Sequence, residues 1–335
     1  MRNWGRHNEA GSTHDSRIDR EVPLPGVIDT IGFGFAALTL RPLVILPIVM
    51  LELYMLLGPR VLLAPLTAGL ASRLERRGEH WDNVAGEIAR LEGVNVFEAG
   101  ALDIPLLRPP GIVPALDGQH LADIRFGATW SELPSGVVAV LIVLSLAAGL
   151  LVAASYRSLL ASAALSSVDR LAMPAPGQVI RRAGRVFGWI VSLIGLGVLV
   201  SMPVLVATIV GTLIGFGDVA VLWLLLLFPA TWAWVHFFFS VHAIFVDDIG
   251  PLAALRSSYQ VVQRHFWQSV RFMAVSILIT SGFSFALREL ATNLPGALLA
   301  VLLNAVIASG MIVAAMLFYR DRATRLGLNA QLPGR

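Results

Sequence analysis

The chain has 335 residues, of which 56% are hydrophobic and only 14% are charged, and its formal net charge is +3. Soluble globular proteins carry about 25% charged residues, so this composition is that of an integral membrane protein and argues against a nucleic-acid-binding one. Every basic residue is arginine, which indicates a bacterial genome, and the absence of cysteine excludes disulfides and cysteine-ligated metal sites.

The chain begins with a polar segment that leads into an interrupted apolar one. Residues 1–25 contain no apolar run, and we expect them to form a disordered cytoplasmic tail. Val27–Leu40 is weakly amphipathic and leads through Arg41 and Pro42 into a first apolar helix over 42–62. Glu52 interrupts that helix.

Five further apolar stretches follow, and each can cross a bilayer. A bilayer core of about 30 Å needs roughly 20 apolar residues in a helix, and helices satisfy their own backbone groups in lipid. These predicted helices run over residues 134–156, 187–212, 219–245, 271–290 and 296–319. Together with 42–62 they predict an all-α fold, an integral membrane bundle of six transmembrane helices arranged as three hairpins.

Arginines set the expected orientation. They cluster after the second, fourth and sixth predicted helices and are nearly absent from the turns after the third and fifth. Because positively charged short loops stay cytoplasmic, we expect a plasma-membrane protein with both termini inside. The membrane domain would span 26–325, followed by a cytoplasmic tail at 326–335.

The longest connection, 60–133, is expected on the outer side because long loops translocate largely regardless of charge. Within it, Trp81–Ala99 has the spacing of a short amphipathic helix, whereas Ile104–Leu116 is rich in proline and glycine and should be irregular.

A short amphipathic segment precedes each hairpin. The segments are Val27–Leu40, Gln178–Phe187 and Pro251–Phe266, and the last has an apolar stripe that includes Leu252 and Val262. Such helices lie in the membrane interface with arginines toward phosphate headgroups. The headgroup-binding candidates are Arg41, Arg181, Arg182, Arg185, Arg256 and Arg264. The alternative is that these segments only connect and cap the bundle.

Polar residues inside the spans are the other candidates. An ionisable group at bilayer depth costs about 2.5–3.5 kcal/mol on insertion. Glu52 and His236 fall at similar predicted depths and could form a proton-relay pair; alternatively, a protonated Glu52 bonds a neighbouring helix and His236 is a satisfied interior histidine. Asn304 could hydrogen-bond across the bundle, and the small-residue pattern of Gly195, Gly197, Gly211 and Gly215 suits close helix packing.

One segment carries a family resemblance. Phe245–Val270 contains an acidic pair, a Gly-Pro turn and a basic-aromatic entry to the next span. The matching residues are Asp247, Asp248, Ala254, Leu255, Ser258, Arg264 and Trp267. The segment resembles uncharacterised polytopic prokaryotic proteins similar to the membrane domain attached to some glycerophosphodiester phosphodiesterases. The resemblance implies a six-helix membrane module, but this chain contains no phosphodiesterase domain.

Other chemistry finds no support in the sequence. No HExxH motif occurs and the histidines are scattered, so we expect no catalytic residues, no metal, no cofactor and no enzymatic activity. Two classes remain. The first is a protein that binds or helps to transport a lipid or small hydrophobic molecule, with membrane lipids as partners. The second is an accessory membrane protein that scaffolds protein partners.

Overall fold

The computed structural model describes residues 23–78, 81–97, 127–165, 174–214 and 220–328, without the side chains of 212 and 220–225. The expected tail at 1–25 and the Ile104–Leu116 segment therefore lie wholly or largely outside the described residues. The α-helices are α1 Val27–Thr39, α2 Leu46–Leu57, α3 Ala64–Glu75, α4 Asp82–Arg90, α5 Ser135–Leu165, α6 Pro176–Leu213, α7 Ala220–Phe237, α8 Ser240–Val246, α9 Pro251–Arg264, α10 Phe266–Leu290 and α11 Leu294–Arg325.

Five helical segments in the described part of the chain are long and apolar enough to cross a membrane. They are Ser135–Leu165, Pro176–Gly211, Leu226–Val246, Phe266–Leu290 and Leu294–Arg325. A sixth span is present if Val27–Thr39 and Pro42–Leu57, which meet at a bend of 97°, are one broken span. The prediction of an all-α, multi-pass membrane protein is thus confirmed.

Several helices extend past the ends that arginines predicted. α5 continues to Leu165 because Arg157 is buried inside the protein instead of marking the membrane surface. α11 continues to Arg325 for the same reason, since Arg322 is buried. The amphipathic segment Gln178–Phe187 is the beginning of α6, not a separate helix.

α9 is a separate helix, as predicted, but the predicted apolar stripe is only partly its buried face. Leu252 is 72% exposed, whereas Val261 and Val262 are fully buried. The rest of the buried face is formed by small residues, Ala254, Ser257 and Ser258. Small side chains let α9 lie close to its neighbours, and their hydroxyls can bond groups that apolar side chains would leave unpaired.

One face of α1 packs against α11, and its expected position in the membrane interface stays a prediction. Its buried residues are Thr30, Ile31, Gly34 and Leu38. Gly34 lies directly against Gly310 and Ala314 of α11, where an added Cβ would come within 2.7 Å of backbone and side-chain atoms. Small residues allow this close approach of two helices in a membrane protein.

The connection after α2 contains short elements. A parallel pair of two-residue strands, β1 Arg60–Val61 and β2 Thr129–Trp130, joins its two ends. The helix predicted over Trp81–Ala99 is found in part, as α4 and a following 3₁₀ turn over Leu91–Gly93, and α3 is a helix that the sequence pattern did not specify.

Packing is uneven along the bundle. We call the end that contains α8 and α9 the collar end; the main apolar core lies there, between these helices, the last part of α5 and residues 305–323 of α11. In the most apolar stretch of α11, 67% of the residues are buried, but in that of α6 none is. The membrane-spanning part of α6 is therefore less buried than that of α11: Ile190 and Leu193 are partly buried against the core, and Val191 and Ile194 are exposed.

Candidate functional site

The richest polar cluster surrounds the link between α8 and α9. All seven residues of α8 are buried, and the link begins with Asp247 and Asp248. Asp248 has a φ of +54°, a left-handed conformation that aspartate tolerates better than most residues. Pro251 then begins α9, where its fixed φ and missing N–H suit the first helical turn.

Three arginines of α6 converge on Asp248. Arg181 Nη2 lies 2.7 Å from Oδ2, Arg182 Nε lies 3.3 Å from Oδ1, and Arg185 Nη1 lies 2.7 Å from Oδ1. Arg185 Nη1 also donates to the Asp248 carbonyl at 2.6 Å. Three positive charges and one negative charge leave a local charge of +2, close to a carboxylate that is 28% exposed.

Asp247 turns to the opposite side and is held by α11. The Tyr319 hydroxyl donates to Asp247 Oδ2 at 2.6 Å and lies 2.6 Å from Ser257 Oγ of α9. Tyr319 is fully buried. The two aspartates therefore fix the α8–α9 link between α6 and α11.

The break between α7 and α8 is satisfied by side chains. Ser258 Oγ donates to the His236 carbonyl at 2.7 Å and accepts from the Phe239 N–H at 3.1 Å. Trp189 Nε1 of α6 donates to Ser240 Oγ at 2.7 Å. An interrupted membrane helix must pair its freed backbone groups within the protein. Here Ser258 of α9 pairs the carbonyl of His236 and the N–H of Phe239 at the break.

The ring of His236 packs among aromatic residues, and its pairing with Glu52 stays a prediction. His236 Nδ1 lies 2.8 Å from the Trp232 carbonyl, and its ring stacks on Trp232 and lies near Tyr259 and Phe266, at the collar end. The pairing prediction assumed equal depth in two straight helices, and the bend before α2 removes that assumption.

Glu52 belongs to a different level of the bundle. It is buried in α2, one turn before Met55, which shares an apolar cluster with Leu287 at the far end of α10. Phe266 and Leu287 are about 30 Å apart along α10 at 1.5 Å per residue. His236 therefore packs at the start of α10, whereas the helical turn after Glu52 packs near the end of α10.

Asn304 occupies the α11 surface at the level of Glu52. Ile48, one turn before Glu52, belongs to the same cluster as Ala305, and Met55 belongs to the same cluster as Val301. Asn304 is buried between these levels. The register thus places the two predicted intramembrane polar residues on facing parts of α2 and α11.

The remaining arginine candidates have different surroundings. Arg41 Nη1 donates to the carbonyls of Ser162 and Ala163 at 3.1 and 3.3 Å, so it caps the end of α5. Arg256 and Arg264 are exposed on α9. Of the six arginines, only those at Asp248 form a cluster around one acidic group.

Sequence reasoning did not identify Tyr319 and Ser257 as partners of the acidic pair. The pair itself was visible before a Gly-Pro turn, but the tyrosine lies 72 positions further along the chain. A hydroxyl at the end of an apolar span gives no sign of its distant partner. The described residues contain no group of three or more His, Asp or Glu side chains that could hold a metal ion.

Comparison with known proteins gives no further guidance. No family model matches the chain, and no curated protein and no solved structure matches it either. The function is therefore argued from the geometry.

Proposed function

We propose that this protein is a plasma-membrane module that binds, or helps to transport, a lipid or small hydrophobic molecule between its helical hairpins. In this proposal α1 and α2 count as one broken span, giving six spans in three hairpins with both termini cytoplasmic. The arginine distribution supports that orientation. No enzymatic activity is part of the proposal, and the module is of the kind that the resemblance to phosphodiesterase-linked membrane domains implies.

One observation carries the proposal: the exposed apolar surface of α6. A helix in a bundle normally buries one stripe against its neighbours. In the most apolar stretch of α6 no residue is fully buried: Ile190 and Leu193 are only partly buried against the core, and Val191, Ile194 and Leu199 lie on one broad exposed face. This surface is therefore available to an apolar molecule that reaches the bundle from the bilayer.

The glycines of α6 add to this surface. The sequence predicted close helix packing at Gly195 and Gly197, but an added Cβ at either position would meet no atom within 4 Å. The packing prediction is wrong for these two residues; the close packing occurs instead at Gly34 and Gly310. On the exposed face of α6 the missing side chain of Gly195 leaves a shallow indentation that a flexible chain can fill, whereas Gly197, two residues further on, lies on the other side of the helix.

The same surface supports a second candidate function. A membrane helix of a partner protein could pack on α6, and small residues favour close helix contacts in membranes. In that case the protein is an accessory or scaffolding component, and Gly195 and Gly197 belong to a protein interface.

Native mass spectrometry of the purified protein in mild detergent distinguishes the two functions. We expect a retained lipid or small apolar molecule, and we expect Gly195→Trp to reduce its occupancy because the new side chain fills the indentation. Gly282→Trp is the matched control: Gly282 of α10 is also exposed, with no atom within 4 Å of an added Cβ.

Each outcome has a defined meaning. If the wild type and both variants retain the lipid or small apolar molecule equally, binding at α6 is contradicted. A co-purified polypeptide that is lost in Gly195→Trp alone would favour the scaffold. Thermal unfolding of each variant should stay close to the wild type, since the added Cβ meets no atom within 4 Å at either position and both positions are exposed.

A further inference from the structure

We infer that Arg181 and Arg182, beside Asp248, bind the phosphate group of a membrane lipid, and that the Asp248 carboxylate competes with that phosphate for the same guanidinium groups. This inference rests on the proposed lipid binding and names the part of the lipid that is recognised. Of the six arginines that the sequence suggested as headgroup-binding candidates, the inference assigns this role to Arg181 and Arg182.

The charge of the cluster fits an anion. Three guanidinium groups around one carboxylate give a net local charge of +2. Arg181 bonds the carboxylate through Nη2, yet 54% of its side chain remains exposed. Guanidinium groups bind phosphate oxygens with charge-assisted, often paired, hydrogen bonds, so this exposed group can contact a phosphate at the protein surface.

The exposed apolar residues next to Arg181 can contact the acyl chains of the same lipid. Ile180 and Phe187 of α6 are 64% and 59% exposed, and they lie at helical spacing on the face that continues through Val191 and Ile194. Gly184 lies between them, one turn after Arg181, and an added Cβ there would meet no atom within 4 Å. The phosphate position and the apolar face thus form one continuous strip along α6.

Asp248 gives the site its competing anion. Its left-handed backbone conformation directs the carboxylate to a point between the three arginines, where it receives bonds from all of them. A lipid phosphate that approaches Arg181 must share these donors with the carboxylate. Removing the negative charge of Asp248 raises the local charge from +2 to +3 and should strengthen lipid binding.

The test is a lipid titration of the purified protein, followed by native mass spectrometry, with phosphatidylglycerol and phosphatidylcholine as probes. Arg181→Gln should weaken phosphatidylglycerol binding about fivefold, the effect of one basic residue near an anionic surface. Asp248→Asn should strengthen it by about the same factor, because asparagine also tolerates the left-handed conformation. Arg256→Gln, which removes an exposed arginine from the adjacent α9, should change nothing.

Two results with the arginine variants would overturn the inference. Equal weakening by Arg181→Gln and Arg256→Gln would indicate attraction to the whole basic surface rather than a site. Unchanged binding in Arg181→Gln would also overturn it, and this variant decides even if Asp248→Asn fails to fold, because its side chain is largely exposed.

Two further measurements distinguish a lipid phosphate from a soluble phosphate, and failure of this site from failure of the proposed lipid-binding function. Competition by millimolar inorganic phosphate with no lipid preference would assign the site to a soluble anion and overturn the lipid assignment. Loss of lipid in Gly195→Trp with no effect of Arg181→Gln would retain the proposed function and reject this site.

Discussion

The crossing of α1 and α11 depends on Gly34, and Gly34→Ala tests whether these helices touch. An added Cβ at residue 34 would lie 2.7 Å from the Ala314 Cβ, the Ala314 nitrogen and the Gly310 oxygen. Two of these three atoms belong to the backbone, so no side-chain rotation can remove the clash. The helices would have to separate to accommodate one methyl group.

The size of the effect follows from two opposing contributions. Overpacking a close contact typically costs about 1–3 kcal/mol. Replacing glycine by alanine within a helix contributes roughly 1 kcal/mol in favour of the folded state. Because backbone atoms resist the shift, the cost should lie in the upper part of its range, and the expected net loss in free energy of unfolding is about 1–2 kcal/mol.

Gly32→Ala is the matched control, two residues away in the same helix. A Cβ at residue 32 would meet no atom within 4 Å, so this variant should unfold at or above the wild-type temperature. Thermal unfolding in detergent micelles, followed by intrinsic fluorescence, measures both variants. If Gly34→Ala is as stable as Gly32→Ala, α1 does not pack on α11 as described, and the buried position of α1 must be abandoned.

Three further changes test separate contacts. Tyr319→Phe removes the hydroxyl bonded to buried Asp247 and should lower the free energy of unfolding by about 1–3 kcal/mol in chemical denaturation; wild-type stability would contradict the bond. Asn293→Ala removes the side-chain cap of α11 and should cost about 1 kcal/mol, against a few tenths for the glycine variant in the same assay. Burial and then nearby arginines, Arg325 among them, lower the pKa of His265 from 6.5, so its contribution to stability is present above pH 6.5 and is lost as the pH falls from there towards the lower folded-state pKa. NMR titration should give a pKa below 6.5 that rises in Arg325→Gln; no rise would place the arginine too far away to act.

The membrane spans and α9 are the parts of the fold that sequence patterns predict well. Long apolar runs around residues 134–156 and 296–319 are helices in the structure, since lipid leaves the backbone no other partner than itself. The separate helix α9 was recognisable from its periodicity and from Pro251 at its start. Such signals are local, and each can be read within about 20 residues.

Helix ends and polar partners were predicted less well because arginine has two roles. Arg157 and Arg322 are buried within the protein, so the spans continue past them. The sequence suggested Arg181, Arg182 and Arg185 as headgroup-binding candidates, but it did not show that all three converge on Asp248. A charged side chain marks the membrane boundary only when no acidic or backbone partner inside the fold competes for it.

The sequence by itself determined that this is an all-α, multi-pass membrane protein, because the hydrophobic length of each helix is a local property of the chain. Only the tertiary structure decided that Asp247 bonds Tyr319, that His236 packs against Tyr259 and Phe266, and that one face of α1 packs on α11. The reason is physical: these relations depend on a 97° bend and on contacts between residues distant in the chain, and neither leaves a periodic signal in the sequence.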